Sequence, residues 1–301
     1  MDKRKQERGA STAVARFRGL IQAAAALITN IHIPNFLSGS IYRGAGKMVC
    51  VPGLNCYSCP AAAGACPIGA FQATAGSSKF HFPYYITGIL ILIGVTLGRF
   101  VCGFLCPFGW FQELLHKIPT KKLSSERLKA LRYMKYAVLL IMVILMPILI
   151  ADDVGIGSPY FCKYLCPQGV LEGALPLAAV NGGIRAALGK LFSWKLSILV
   201  SVIVLSVVFY RPFCKWLCPL GAFYAIFNKI SILQMKVDEK KCVSCGKCAK
   251  ICKMDVDVTK TPNHSECIRC GMCITGCPTK AIGYCGSLGT DKRNITINGG
   301  N

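Results

Sequence analysis

Residues 242–252 and 267–277 carry one cysteine spacing twice, Cys242-x2-Cys245-x2-Cys248-x3-Cys252 and Cys267-x2-Cys270-x2-Cys273-x3-Cys277. Three thiolates spaced this tightly can wrap one four-iron cubane while the fourth reaches a neighbouring one. The spacing predicts two [4Fe-4S] clusters with crossed ligands: Cys242, Cys245, Cys248 and Cys277 for the first, and Cys252, Cys267, Cys270 and Cys273 for the second. Zinc competes for four-thiolate sets, but a structural zinc site closes on four ligands of its own and needs no crossed cysteine. Pro follows Cys277 as is usual, whereas Lys253 follows Cys252, a departure expected to alter the local turn and leave the ligand in place. Residues 233–285 are expected to form a small α+β domain around these clusters, and residues 286–301, polar and rich in Gly and Asn, a disordered tail.

Upstream, the chain nearly repeats itself. Arg99-Phe-Val-Cys102-Gly-Phe-Leu-Cys106-Pro returns as Arg211-Pro-Phe-Cys214-Lys-Trp-Leu-Cys218-Pro at a constant offset of 112 residues. Each Cys-x3-Cys-Pro follows an apolar stretch, so two halves, residues 19–118 and 130–231, are expected to pack as parallel repeats about an axis along the membrane normal. That arrangement gathers Cys102, Cys106, Cys214 and Cys218 as the ligands of one further cluster. Cys66-Pro and Cys166-Pro form a second related pair, in which Cys162 stands four residues before Cys166 but Cys59 stands seven before Cys66. The candidate outer cluster is therefore Cys59, Cys66, Cys162 and Cys166. Disulfides are the competing reading for these outer cysteines, with Cys50 and Cys56 as the spare pair.

Apolar stretches at 19–37, 82–98, 136–151 and 196–210, in a chain 53% hydrophobic, predict a four-span membrane domain over residues 19–232. The first is the weakest, since it holds Gln22, Asn30, His32 and Pro34. The net charge of +22 would suit nucleic acid, but its distribution is topogenic. Residues 1–18 carry six Lys or Arg and residues 99–135 carry eight, against three in residues 38–81 and four in residues 152–195. Both termini are thus expected in the cytoplasm of a multi-pass cell-membrane protein. The basic N-terminus, lacking a small-residue cleavage site, reads as a retained tail. No basic recognition element with interleaved aromatics points to nucleic acid.

With these motifs in place, the chain resembles the polyferredoxin-like membrane proteins of prokaryotes, whose hallmark is repeated Cys-x3-Cys-Pro on transmembrane helices with a ferredoxin domain behind. The membrane subunit of the quinol dehydrogenases serving periplasmic nitrate reductase belongs to that group. So does the membrane part of the nitrous-oxide-reductase maturation proteins. The resemblance, from about Arg18 to Tyr284, implies electron transfer at the membrane. The residues themselves suggest the path: an iron–sulfur relay between a cytoplasmic redox protein and the quinone pool, an outer cluster or a partner subunit. Membrane lipid and redox proteins such as a ferredoxin, flavodoxin or oxidoreductase subunit are the expected partners, with quinone as a candidate. Lys240, Lys241, Lys247, Lys250 and Lys253 are candidates for docking an acidic donor. A quinol dehydrogenase or reductase subunit with its own substrate site is the alternative, as is a redox sensor or assembly factor. Beyond the cysteines, however, no catalytic constellation is visible. Of His32, His81, His116 and His264 only His32 falls in an expected span, where it reads as a hydrogen-bonding group.

Overall fold

The computed structural model describes residues 12–77, 82–150 and 157–286. The start of the basic tail, His81, the end of the third expected span and the polar tail after Gly286 lie outside the described residues. In chain order the principal helices of the N-terminal part are α1 (Arg18–Thr29), α2 (Pro67–Ala75), α3 (Tyr84–Leu97), α4 (Phe100–Phe104) and α5 (Pro107–His116). They continue as α6 (Leu128–Leu149), α7 (Val170–Val180), α8 (Lys190–Val208), α9 (Pro212–Trp216) and α10 (Pro219–Phe227).

Two of these, α6 and α8, are long and apolar enough to cross a hydrocarbon core, at 22 and 19 residues. They stand where the third and fourth spans were expected, each starting before the expected boundary. The places of the first two are taken by shorter apolar helices, α1 and α3. The stretch 19–37 is not one helix: α1 stops at Asn30, whose N–H turns back to the Leu27 carbonyl, and Pro34 lies just beyond. One side of α1 is polar and buried, since Arg18 Nε and Gln22 Nε2 both donate to the Gly103 carbonyl, at 2.9 and 3.0 Å. His32, past the helix end, stacks on Tyr42 with ring centroids 3.8 Å apart, rather than lying within a span. Helices α3, α6 and α8 expose Leu92, Leu140 and Val204, whereas Leu90, Val143 and Val202 face the core. An apolar outer face of this kind needs a partner other than water.

Three of the Cys-Pro dipeptides do the same local work. Cys66, Cys106 and Cys218 have extended backbone and are the N-cap residues of α2, α5 and α10, with Pro67, Pro107 and Pro219 opening the helix. Proline is preorganised for that position and gives up an N–H that would be unpaired anyway. The cysteine before it is thereby fixed at the positive end of the helix, where negative charge is favoured.

In the C-terminal part β1 (Leu233–Val237) pairs antiparallel with β2 (Ile282–Gly286), Leu233 opposite Gly286 and Val237 opposite Ile282. Helices α11 (Lys247–Ile251) and α12 (Met272–Gly276) pack on each other, and α12 also contacts β2. Positive φ recurs at matched positions of the two cysteine runs: Ser244 with Arg269, Gly246 with Gly271, Asp255 with Lys280. The two runs therefore take the same backbone path.

Buried ion pairs join this domain to the helices. Glu266 receives Arg99 at 2.9 Å and Lys135 at 2.5 Å, and Asp255 receives Lys215 at 2.9 Å and Arg132 at 3.3 Å. Arg269 donates to the Leu97 carbonyl at 2.9 Å and to Ser231 Oγ at 2.7 Å. Gly103 passes so close to the Ile268 carbonyl that no side chain would fit there.

Candidate iron–sulfur centres

In the C-terminal domain, Cys252, Cys267, Cys270 and Cys273 line one cavity together with Met254, Val256 and Ile268. The fourth cysteine of the first run thus stands with the first three of the second. Burial, with Cys270 and Cys252 nearby, pushes the Cys267 thiol up to about 12. Thiols gathered in this way stay protonated unless a cation holds them as thiolates, which bound iron does. Of the other set, Cys242 lies within electrostatic reach of Cys248. Cys248 and Cys277 share the small core formed with Met235, Ile274 and Ile282. Cys245 is exposed, beside exposed Val243. Lys253, where proline is usual, sends its ammonium over the Tyr210 ring at 5.4 Å, toward the helices.

Cys102, Cys106, Cys214 and Cys218 come together between the helices. Each is buried, at 6–8% exposure. Cys106 lies within electrostatic reach of Cys214 and Cys102, and Cys218 of all three others. Burial, with those neighbours adding to it, pushes the Cys106 thiol up to about 12. Arg99 donates to the Cys214 carbonyl at 3.5 Å, and Arg211 donates to the Cys102 carbonyl, so each arginine reaches the cysteine loop of the other half. Arg99 Nε and Arg211 Nη2 are buried without a hydrogen-bond partner. A [4Fe-4S] unit with four thiolates is a net anion, so buried cationic N–H groups beside these thiols suit it. Gln112 adds a direct contact, donating from Nε2 to Cys214 Sγ at 3.1 Å while its Oε1 accepts from the Phe213 N–H at 3.1 Å.

The cysteine loop expected on the outer side packs into the apolar core of the helices. Cys50, Leu54 and Cys66 belong to the same apolar core as Cys102 and Cys106, and Gly53 packs against the backbone of Cys106. Tyr224, fully buried, donates to the Pro52 carbonyl at 3.0 Å and lies within electrostatic reach of Cys102, Cys106 and Cys66. Cys162 and Cys166 both lie within electrostatic reach of Cys66 and of Cys56. Cys59 points elsewhere: its Sγ donates to the Glu172 carbonyl at 3.1 Å. The expected Cys50–Cys56 disulfide is not formed. All nineteen thiols are free, and Cys50 is held by a backbone bridge to Ala65.

Several residues of these sites carried no weight in the sequence reading. Gln72 donates to Cys162 Sγ at 3.4 Å and accepts from the Phe161 N–H at 3.0 Å, as Gln112 does for Cys214 and Phe213. Both glutamines stand six residues after a Cys-Pro cysteine, and that shared offset was the available signal. Glu172 is a third: its Oε2 accepts from the Cys56 N–H at 3.1 Å, and burial pushes its carboxyl up to about 7. Among the described residues, no three His, Cys, Asp or Glu side chains close on a point that one metal ion would occupy. Ligands of a cubane are spread over separate irons and need no such point.

Comparison with known proteins places these sites in a family context. The model of a family described as "4Fe-4S binding domain" matches residues 64–85, 80–126, 136–175 and 187–238, together more than half of the chain. A second family of the same description matches residues 261–283. An uncharacterized protein of Methanocaldococcus jannaschii is 29% identical over 207 residues, 65% of this chain and 76% of its own length. The putative electron transport protein YccM of Escherichia coli is 26% identical over 200 residues, 62% of this chain and 51% of its own. The ferredoxin-type protein NapH of Haemophilus influenzae is 26% identical over 223 residues, 68% and 70% of the two chains. No solved structure matches the chain.

Proposed function

This chain belongs to the 4Fe-4S binding domain family, and from that premise we propose that it is a transmembrane electron relay in which four clusters lie in a fixed order. Its relatives in electron transport make it an iron–sulfur electron-transfer protein. The finer reading is the path. The set Cys242, Cys245, Cys248 and Cys277 is the cytoplasmic entry or exit point. The set Cys252, Cys267, Cys270 and Cys273 comes next, then Cys102, Cys106, Cys214 and Cys218, and last an outer set that includes Cys66, Cys162 and Cys166.

One observation carries this reading: a single continuous apolar core contains Cys252 and Cys270, Cys102 and Cys106, and Cys66, Cys162 and Cys166. That shared core supports a series of neighbouring cysteine groups, with the exposed Cys245 group at one end. Each cluster, when bound, supplies a one-electron couple whose potential depends on burial and on hydrogen bonds to sulfur. The chain's own residues set the order and the surroundings: Gly103 against Ile268 brings the C-terminal domain close, and Tyr224 with Pro52 fills the gap toward Cys66. A hydrocarbon core of roughly 30 Å is too thick for one efficient tunnelling step between its surfaces, and a cysteine loop drawn into the bundle shortens that step.

The reciprocal contacts of Arg99 and Arg211 support two repeats, and the apolar faces of α3, α6 and α8 support burial in lipid, with α1 and α3 as the shorter spans of a four-span bundle. Residues 19–232 are then the membrane domain, residues 233–285 the ferredoxin domain, and both termini cytoplasmic. Lys240, Lys241, Lys247 and Lys250 are exposed around the Cys245 group and suit an acidic redox protein, while quinone is a candidate partner within the bundle. Iron analysis of anaerobically purified full-length protein tests the relay: about 16 irons are expected, four per cluster. About 12 irons, with oxidised outer cysteines, would reduce it to a carrier facing one side.

A further inference from the structure

Cys-Pro-x-Gly occurs four times, at Cys66, Cys106, Cys166 and Cys218. In three of the four the related loop supplies its other cysteine four residues earlier, as Cys102, Cys162 and Cys214. Before Cys66 that position is Ala62, fully buried. The first half's second outer ligand must therefore come from elsewhere in the loop, which offers Cys50, Cys56 and Cys59.

We propose that this ligand is Cys56, so that the outer cluster is held by Cys56, Cys66, Cys162 and Cys166. The proposal rests on the reading that the outer set binds a cluster, and the loop's contacts decide among the thiols. Gly69, three residues after Cys66, faces the other half's Cys162: a Cβ built there would stand 3.7 Å from its Sγ. Gly169, three residues after Cys166, faces Cys56 in the same manner, at 3.5 Å. Cys56 thus occupies toward the second half the place that Cys162 occupies toward the first.

The position six residues after each of these cysteines repeats the relation. Gln72 reaches the Cys162 loop, with Nε2 3.4 Å from Cys162 Sγ. Glu172 reaches the Cys56 loop, its Oε2 accepting from the Cys56 N–H at 3.1 Å. A cationic group completes the surroundings. Lys195 donates to the Cys162 carbonyl at 3.0 Å, and its Nζ stands beside Gly169, the residue Cys56 touches. Cys59 is turned away from this centre. Its thiol donates to the Glu172 carbonyl, and its packing neighbours are Ala61, Ala62, Phe36 and Cys56. Cys50 is in backbone contact with Ala65 and lies within electrostatic reach of Tyr224.

The test is iron content and electron paramagnetic resonance of the reduced full-length protein, purified anaerobically, for Cys56→Ser, Cys59→Ala, Cys50→Ser and Cys166→Ser. Cys56→Ser and Cys166→Ser are each expected to lose about four irons and the same signal, with the remaining clusters unchanged as proof of folding. Cys59→Ala and Cys50→Ser are expected to keep all of the iron. If Cys56→Ser is not recoverable, those two variants alone leave Cys56 as the one unassigned thiol of the loop. Loss of the signal in Cys59→Ala or Cys50→Ser, or its retention in Cys56→Ser when Cys166→Ser loses it, overturns the assignment. Retention in Cys166→Ser would remove the outer cluster itself, and the proposal with it.

Discussion

Arg99 and Glu266, 167 residues apart, form an ion pair of 2.9 Å between side chains that are 0% and 5% exposed. Arg99 also touches the Cys214 carbonyl, and Glu266 lies one residue before Cys267. One salt bridge thus ties a cysteine loop of the helical part to a cysteine run of the C-terminal domain. Lys135, at 2.5 Å from the same carboxylate, makes it a buried triad.

Glu266→Gln should therefore loosen the C-terminal domain, because it leaves two buried cations facing an uncharged amide. Removing one partner of a buried pair costs about 3–5 kcal/mol. Proteolytic release of the C-terminal domain in detergent should be correspondingly faster than for the parent.

The same carboxylate sets an acid limit. Burial alone would raise the carboxyl of Glu266, but Arg99 and Lys135 outweigh it and hold the group down to about 2. A depressed carboxylate contributes stability above its ordinary range, and the contribution is lost as pH falls through the folded value. The difference in release rate between parent and Glu266→Gln should be constant near neutrality and shrink from the ordinary carboxylate range down toward pH 2.

Gln112→Leu should lower the potential of the cluster proposed at Cys102, Cys106, Cys214 and Cys218, since the Nε2 donor at 3.1 Å from Cys214 Sγ favours the more negative, reduced state. A net hydrogen bond of about 1 kcal/mol corresponds to about 40 mV for one electron. A redox titration followed by paramagnetic resonance checks the shift. No change would mean that Gln112 only positions the Phe213 backbone.

Gly103→Ala should hold the two parts of the protein apart, because its Cβ would run into the Ile268 carbonyl, which belongs to backbone and has little freedom to move. Overpacking of this kind costs about 1–3 kcal/mol. Iron content should stay near that of the parent while electron exchange between the C-terminal domain and the buried clusters slows, measured as reoxidation of the inner cluster after rapid reduction.

Lys240→Glu combined with Lys247→Glu should slow reduction or oxidation by an acidic redox protein by about tenfold or more at low ionic strength, since steering by such charges is worth that much. The gap should narrow as salt rises and the charges are screened. An unchanged rate would place the docking face elsewhere.

The sequence by itself determined the parts that depend on short spacing: the two Cys-x2-Cys-x2-Cys-x3-Cys runs and the apolar character of α6 and α8. These are local matters, settled within a few residues by ligand reach and by hydropathy. The 112-residue repeat already placed Cys102, Cys106, Cys214 and Cys218 together; only the tertiary structure decided where the other groups meet. The stretch 19–37 reads as one continuous span, yet its helix ends at Asn30, and Arg18 and Gln22 on its buried face bond to the Gly103 carbonyl. The outer loop reads as an exterior segment, yet Gly53 lies on Cys106 and Leu54 in the common core. Cys56 and Cys59 are equally good thiols three residues apart, and their different surroundings come from Gly169 and Glu172, more than a hundred residues away. Contacts across such separations depend on how helices pack, and helix packing follows the whole apolar surface of each element, so no local spacing records it.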